Sequence, residues 1–148
     1  MWQKVCVMCG VMLIIDVGAM ELPLYLSYKY EVGTNKVTIV DSVMYAGGSE
    51  LKAINMGTGE IMWEYKCGDR WYSSYTGTPT VVGDNLYVAG FDGNVYCFDR
   101  HRGKPLWVYE TCGEIAGKVW YKGGRLYFGA QMGVYCLDAD GGGLIWRT

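Results

Sequence analysis

An eleven-residue pattern occurs three times in this chain without gaps, and few folds can use it. The copies are Ala53-Ile-Asn55-Met-Gly-Thr-Gly59-Glu-Ile-Met-Trp63, Cys97-Phe-Asp99-Arg-His-Arg-Gly103-Lys-Pro-Leu-Trp107 and Cys136-Leu-Asp138-Ala-Asp-Gly-Gly142-Gly-Leu-Ile-Trp146. Each reads small residue, Asn or Asp, Gly, Trp at positions 1, 3, 7 and 11. Asn55, Asp99 and Asp138 lie 44 and 39 residues apart. The flanks repeat as well. Val43-Met-Tyr45, Leu86-Tyr87 and Leu126-Tyr127 precede the copies, entered through turns at Asp41-Ser42, Gly83-Asp84-Asn85 and Gly123-Gly124. A fixed period of this length marks an array of supersecondary units that bury their faces against one another.

In the middle copy the unit reads as a four-stranded meander: Thr78 to Val82, Leu86 to Phe91, Asn94 to Phe98, and Lys104 to Thr111. Asp92-Gly93 is expected as a two-residue hairpin turn, since Gly and Asp tolerate positive φ. In Asp99–Gly103 the Asp side chain can close the turn on backbone amides while Gly takes the left-handed position. Val95 and Cys97 alternate with Tyr96 and Phe98, so both faces of the strand are apolar, as where sheets stack on sheets. Composition agrees: 22 Gly, 13 Tyr and 6 Trp against only 3 Pro is a mixture of short strands and tight turns. With half the residues hydrophobic and a net charge of −2, disorder is excluded. A pI near 5.3 argues against a nucleic-acid binder working by bulk charge. The expected fold class is all-β, with antiparallel four-stranded propeller blades, about three complete and one partial, in an open arc or as part of a larger ring.

The pattern A-x-D-x-x-x-G-x-x-x-W resembles the tryptophan-docking motif of pyrroloquinoline-quinone-type (quinoprotein-like) β-propellers, a family that includes outer-membrane assembly-factor propellers. The departures are Asn55 for Asp, and Cys97 and Cys136 for Ala. The resemblance covers residues 36–148. It implies that Trp63, Trp107 and Trp146 stack between adjacent blades, and that a complete ring has about seven or eight blades. Residues 1–35 read as a degenerate N-terminal partial blade, because Gly10 to Asp16 overlays Gly93 to Asp99 although the motif's Gly and Trp are missing. The competing reading is a signal-like segment, for Val5 to Ile15 is an unbroken apolar run after Lys4 with no clean cleavage site following. The run is too short for a transmembrane helix.

Chemistry is thinly represented. Cys6-Val-Met-Cys9 has no second pair to complete a thiolate zinc site. Cys97 matches Cys136, and Cys67 matches Cys112, which reads as packing filler at repeat positions. His101 sits in a solvated turn, and no hydrolase, P-loop or dinucleotide motif is present. The expected function is a non-catalytic interaction or scaffold module with no cofactor. The alternative implied by the resemblance is a fragment of a quinone-dependent (PQQ) alcohol or sugar dehydrogenase, with calcium beside the quinone. The family would place the chain in the cell envelope. The one non-repetitive stretch, Asp69 to Thr76, offers Arg70, Trp71, Tyr72 and Tyr75 as candidate partner contacts, residue types common at binding hot spots. An open arc leaves apolar sheet faces at its ends, so the partners expected are a protein or completing blades, including a second copy closing a ring.

Overall fold

A computed structural model describes residues 36–66 and 74–148. The N-terminal partial blade, Cys67, Arg70, Trp71 and Tyr72 lie outside the described residues. Among the described residues, twelve strands form three antiparallel four-stranded sheets in simple meander order. Blade 1 is β1 (Lys36–Val40), β2 (Val43–Gly47), β3 (Glu50–Asn55) and β4 (Ile61–Lys66). Blade 2 is β5 (Thr80–Val82), β6 (Asn85–Ala89), β7 (Asn94–Asp99) and β8 (Lys104–Glu110). Blade 3 is β9 (Trp120–Lys122), β10 (Arg125–Ala130), β11 (Gly133–Asp138) and β12 (Leu144–Arg147). The blades sit side by side, with the first strands β1, β5 and β9 as inner neighbours.

Turn chemistry accounts for the connections. Asp41 and Ser42 both take positive φ in a two-residue turn closed by the Val40–Val43 pair, the geometry that matches strand twist. The expected two-residue turn at Asp92-Gly93 is one residue longer. Gly90 N donates to Asn94 O at 2.8 Å, leaving Phe91-Asp92-Gly93 as a three-residue loop with Gly93 at φ +85°. That is the usual three-residue hairpin, a turn completed by a left-handed residue. Asp92 stabilises it by accepting from the Asn94 amide and from the Tyr96 hydroxyl. Blade 3 has the true two-residue hairpin, Gln131-Met132, between the paired Ala130 and Gly133.

Blade 2 shows why each strand is apolar on both sides. Leu86, Val88, Tyr96 and Phe98 pack with Tyr45, Leu51 and Ala53 of blade 1. Their neighbours Tyr87, Ala89, Val95 and Cys97 pack with Leu126, Phe128 and Tyr135 of blade 3. Among the described residues the hydrophobic cores are the two joints between blades. A bulge falls at the same place in every blade, after Ala53, Cys97 and Cys136, where β3, β7 and β11 meet the outermost strand. It increases local twist and aims the Trp at the next blade.

Trp63→Ala is expected to cost about 3–5 kcal/mol, as removal of a large packed side chain. Trp146→Ala, with no blade over it among the described residues, should cost less than about 1 kcal/mol. Urea unfolding of the two variants measures the contrast; equal losses would contradict this account of the joints.

Candidate functional site

The recurring motif residues converge on one structural unit, repeated three times. Asn55 Oδ1 accepts from the amides of Gly57 and Thr58 at 2.8 and 3.2 Å. Asp99 Oδ1 accepts from His101 and Arg102 at 2.9 and 3.2 Å, and Asp138 Oδ2 from Gly141 at 2.7 Å. The backbone carbonyl of each of these residues then accepts from the motif glycine four positions on, at 2.7, 2.9 and 3.0 Å. The hydrogen bond from the His101 amide, helped by that of Arg102, holds the Asp99 carboxyl below its ordinary value. The turn leaves Gly103 at φ +65° with its bare face against the preceding blade's tryptophan. A Cβ there would stand 2.4 Å from the Trp63 ring, and one on Gly142 would stand 2.6 Å from Trp107. The glycine is demanded twice, by backbone conformation and by the indole.

Beneath each tryptophan the register builds a row. Tyr45, Ala53 and Trp63 are directly paired across β2, β3 and β4. Tyr87, Cys97 and Trp107 repeat the row, as do Tyr127, Cys136 and Trp146. The small middle residue lets the two rings lean together over it. Their centroids are 6.1, 6.0 and 6.2 Å apart at similar tilts. This explains the first motif position: Ala and Cys are interchangeable because both are small and apolar, and Cys97 and Cys136 are fully buried. Cys112 departs from the packing-filler reading, for it is exposed in the connection after β8. Burial pushes the Tyr87 hydroxyl and the Cys97 thiol each up to about 12.

The two filled joints are not identical. Between blades 1 and 2, Trp63 Nε1 donates to Arg100 O at 2.8 Å. The Arg100 guanidinium reaches back to Asp41 at 2.8 Å, and this bond raises its pKa further above the ordinary value. Between blades 2 and 3, Ala139 stands in the place of Arg100 and Gly83 in the place of Asp41. The Ala139 carbonyl accepts from the Tyr87 hydroxyl at 3.2 Å, and Trp107 Nε1 has no acceptor among the described residues. Nearer the inner strands both joints share a rung: Thr38 Oγ1 donates to Pro79 O at 2.5 Å, and Thr80 Oγ1 to Val119 O at 2.6 Å. Sequence reasoning missed this rung. Thr38, Thr80 and Trp120 each fall three residues before the first hairpin, so extending the repeat alignment finds it.

Blade 3 ends in an open face. Trp120 is 64% and Trp146 40% exposed, and Val134 and Leu144 beside them are exposed too. Lys118 Nζ lies 5.0 Å from the Trp120 ring centroid. Trp146 therefore does not lie between two blades among the described residues, unlike Trp63 and Trp107. The sequence-based contact residue Tyr75 needs correction. It is 5% exposed, packs edge-on against Tyr96 at 5.6 Å, and belongs to the joint between blades 1 and 2. The physical reason is that Tyr75 follows the linker as the chain returns to the sheet, bridging to Gly90, and so enters the core. His101 is exposed, with Nε2 3.0 Å from Asp84 Oδ1.

Asn55, Asp99 and Asp138 are spread one per blade, each spent on its own turn. Among the described residues no three His, Cys, Asp or Glu side chains converge to hold a metal ion. No described helix is long and apolar enough to cross a membrane.

A glycine-seated tryptophan closing one antiparallel blade on the next defines this as a quinoprotein-like β-propeller. The family described as outer membrane protein assembly factor BamB matches residues 29–148, and the chain belongs to it. The quinone alcohol dehydrogenase subunit of Gluconobacter oxydans (strain 621H) is 28% identical over 84% of this chain and 21% of its own length. BamB of Burkholderia pseudomallei (strain K96243) is 35% identical over 45% of this chain and 20% of its own. The crystal structure of BamB from Moraxella catarrhalis superposes with a TM-score of 0.64 at 24% identity, covering 76% of this chain and 35% of that one. The chain thus spans about a fifth of the length of these curated relatives.

The buried Cys97 thiol sets an alkaline limit on stability. The raised folded value means its contribution is complete below the ordinary value of 9.0 and is lost as pH rises towards about 12. Cys97→Ala should therefore flatten the alkaline limb of a stability–pH profile measured by urea unfolding, with little change at pH 7. An unchanged limb would place the titrating group elsewhere.

Proposed function

We propose that this chain is a propeller segment that acts as a non-catalytic, protein-binding scaffold in the cell envelope. The carrying observation is that the recurring polar groups are consumed in building the blades. Asn55, Asp99 and Asp138 bind their own turns, and Trp63 and Arg100 close a joint. Membership of the BamB family supports an interaction role and an extracytoplasmic site. In this reading the linker residues Arg70, Trp71 and Tyr72 are partner contacts, loops on a rigid scaffold being where partners are met. The ring is completed by further blades, from a second copy or from another chain.

A second reading, part of a quinone-dependent dehydrogenase with calcium, is favoured by the Gluconobacter oxydans subunit, which aligns with 84% of this chain. One titration separates the two. Added pyrroloquinoline quinone and Ca²⁺ should give no saturable change in visible absorption and no dye reduction with alcohols or sugars. Tight binding with turnover overturns the scaffold reading. Cross-linking in envelope extracts should place partner links on residues 69–74 and lose them in an Arg70→Ala, Trp71→Ala variant. Mass spectrometry of the mature N-terminus checks the location.

A further inference from the structure

The outer rim of blade 2 carries a feature that stands whether the ring is a scaffold or an enzyme. β8 is the outermost strand of its blade, and no further strand pairs with it among the described residues. Antiparallel pairing spends the backbone groups of alternate residues on each neighbour. Gly90 N donates to Asn94 O and Thr111 N to Gly93 O, so β7 turns its even-numbered residues to β6 and its odd-numbered ones to β8. Val95 and Cys97 lie opposite Tyr109 and Trp107. Tyr109 and Trp107 therefore bond inward, and Val108 and Glu110 direct their N–H and C=O groups away from the blade. Nearer its start the edge closes itself, for the bulge falls at Leu106 and Pro105 has no N–H. The usable edge is residues 107–110.

Charged side chains on an outer strand keep other strands from pairing with it. The motif tryptophans set the three outer strands in register, and the residue after each is Glu64, Val108 or Arg147. All three are exposed. β4 carries charge there and again two positions on, at Lys66, and Glu64 also lies 3.7 Å from Lys52. Of the described outer strands, β8 alone has an uncharged residue at this position, the 50% exposed Val108. Val108 is paired with Tyr96, so it shares the face on which Tyr96 meets Tyr65 of blade 1. Beyond it stands one carboxylate, Glu110.

We propose that the β8 edge receives an extended segment of a partner protein as a fifth, antiparallel strand of blade 2. The outward N–H and C=O groups of Val108 and Glu110 call for extended main chain. Val108 calls for an apolar, β-branched residue opposite it, and Glu110 for a basic one. In antiparallel register these two lie two positions apart, the basic residue first. A second copy of β8 matches poorly in every register that joins outward-facing groups. Val108 against Glu110 sets an apolar side chain on a carboxylate twice. Centring on Val108 brings Glu110 to the bulged Leu106, and centring on Glu110 puts two carboxylates together.

The probe is a capped peptide, Thr-Thr-Lys-Thr-Val-Thr-Thr, titrated into the full chain while amide hydrogen exchange is read residue by residue. In the bound register its Lys faces Glu110 and its Val faces Val108. At millimolar peptide the amides of Val108 and Glu110 should slow roughly threefold or more, with those of Trp107 and Tyr109 unchanged because β7 already holds them. That alternation is the signature of an added strand, and Glu64 on β4 should show no slowing. Methylating the Lys and Val nitrogens of the peptide removes its donors to β8 and should abolish the effect. Methylating the Thr nitrogen between them should not. Val108→Lys, which gives β8 a charge where β4 and β12 carry one, should abolish it as well. Exchange unchanged at all four β8 amides overturns the proposal, as does equal slowing at Glu64. Slowing that survives methylation of the Lys and Val nitrogens overturns it too, because side chains alone then hold the peptide. Slowing at Val108 and Glu110 that rises with protein concentration in the absence of peptide makes a second copy the occupant and overturns it likewise.

Discussion

The structure depends on one contact, an indole ring lying on a glycine that has left-handed backbone. Neither partner works alone. Trp63 and Trp107 need a flat patch without a Cβ, and Gly103 and Gly142 exist as that patch only because Asp99 and Asp138 wind the preceding turn. A blade of four short strands buries neither face by itself. Stability therefore passes from neighbour to neighbour as it does in linear repeat proteins, through interface contributions rather than a common core. The fully buried Tyr87, Cys97 and Phe98 all belong to joints.

The same contact is executed with different polar support in the two joints. The first satisfies the indole N–H with the Arg100 carbonyl and clasps Asp41 with the Arg100 side chain, a partly shielded ion pair between hairpins of different blades. The second gives the equivalent carbonyl to Tyr87 and leaves the Trp107 N–H without a described acceptor. A buried donor without a partner costs on the order of 1–3 kcal/mol. Each joint carries such a cost among the described residues, the first at Arg100 Nε and the second at Trp107 Nε1. The Tyr135 hydroxyl, in the second joint, is also buried without a partner among the described residues. The shorter hairpin of blade 3 omits the residue that, as Asp92, receives the hydroxyl of Tyr96.

These economies bear on function. A repeat whose carboxylates and indoles are spent on blades and joints leaves chemistry to residues that do not repeat. On the scaffold reading those are the segment between blades 1 and 2 and, on blade 3, Trp120 with Lys118 beside it. The family contains both assembly factors and quinone enzymes on the same framework, so fold membership alone does not choose between them.

Much of this was legible in the residues because it is local. The Asx turns, the glycines and the meander order follow from side chains two to four positions apart, and the repeat identifies Trp63 and Trp107 as joints. The Asp92 loop was misjudged by one residue, since turn length depends on which flanking pair closes the ladder. What the sequence could not show is formed across 37 and 59 positions: Trp63 to Arg100, and Arg100 to Asp41. Tyr75 is the clearest case. Its surroundings in sequence are those of a contact loop, yet the bridge to Gly90 carries it into the aromatic joint. By itself the sequence determined the blades, because each strand and turn satisfies its hydrogen bonds within about forty residues. Only the tertiary structure decided which faces are filled and which stay open, because burial is a property of neighbours.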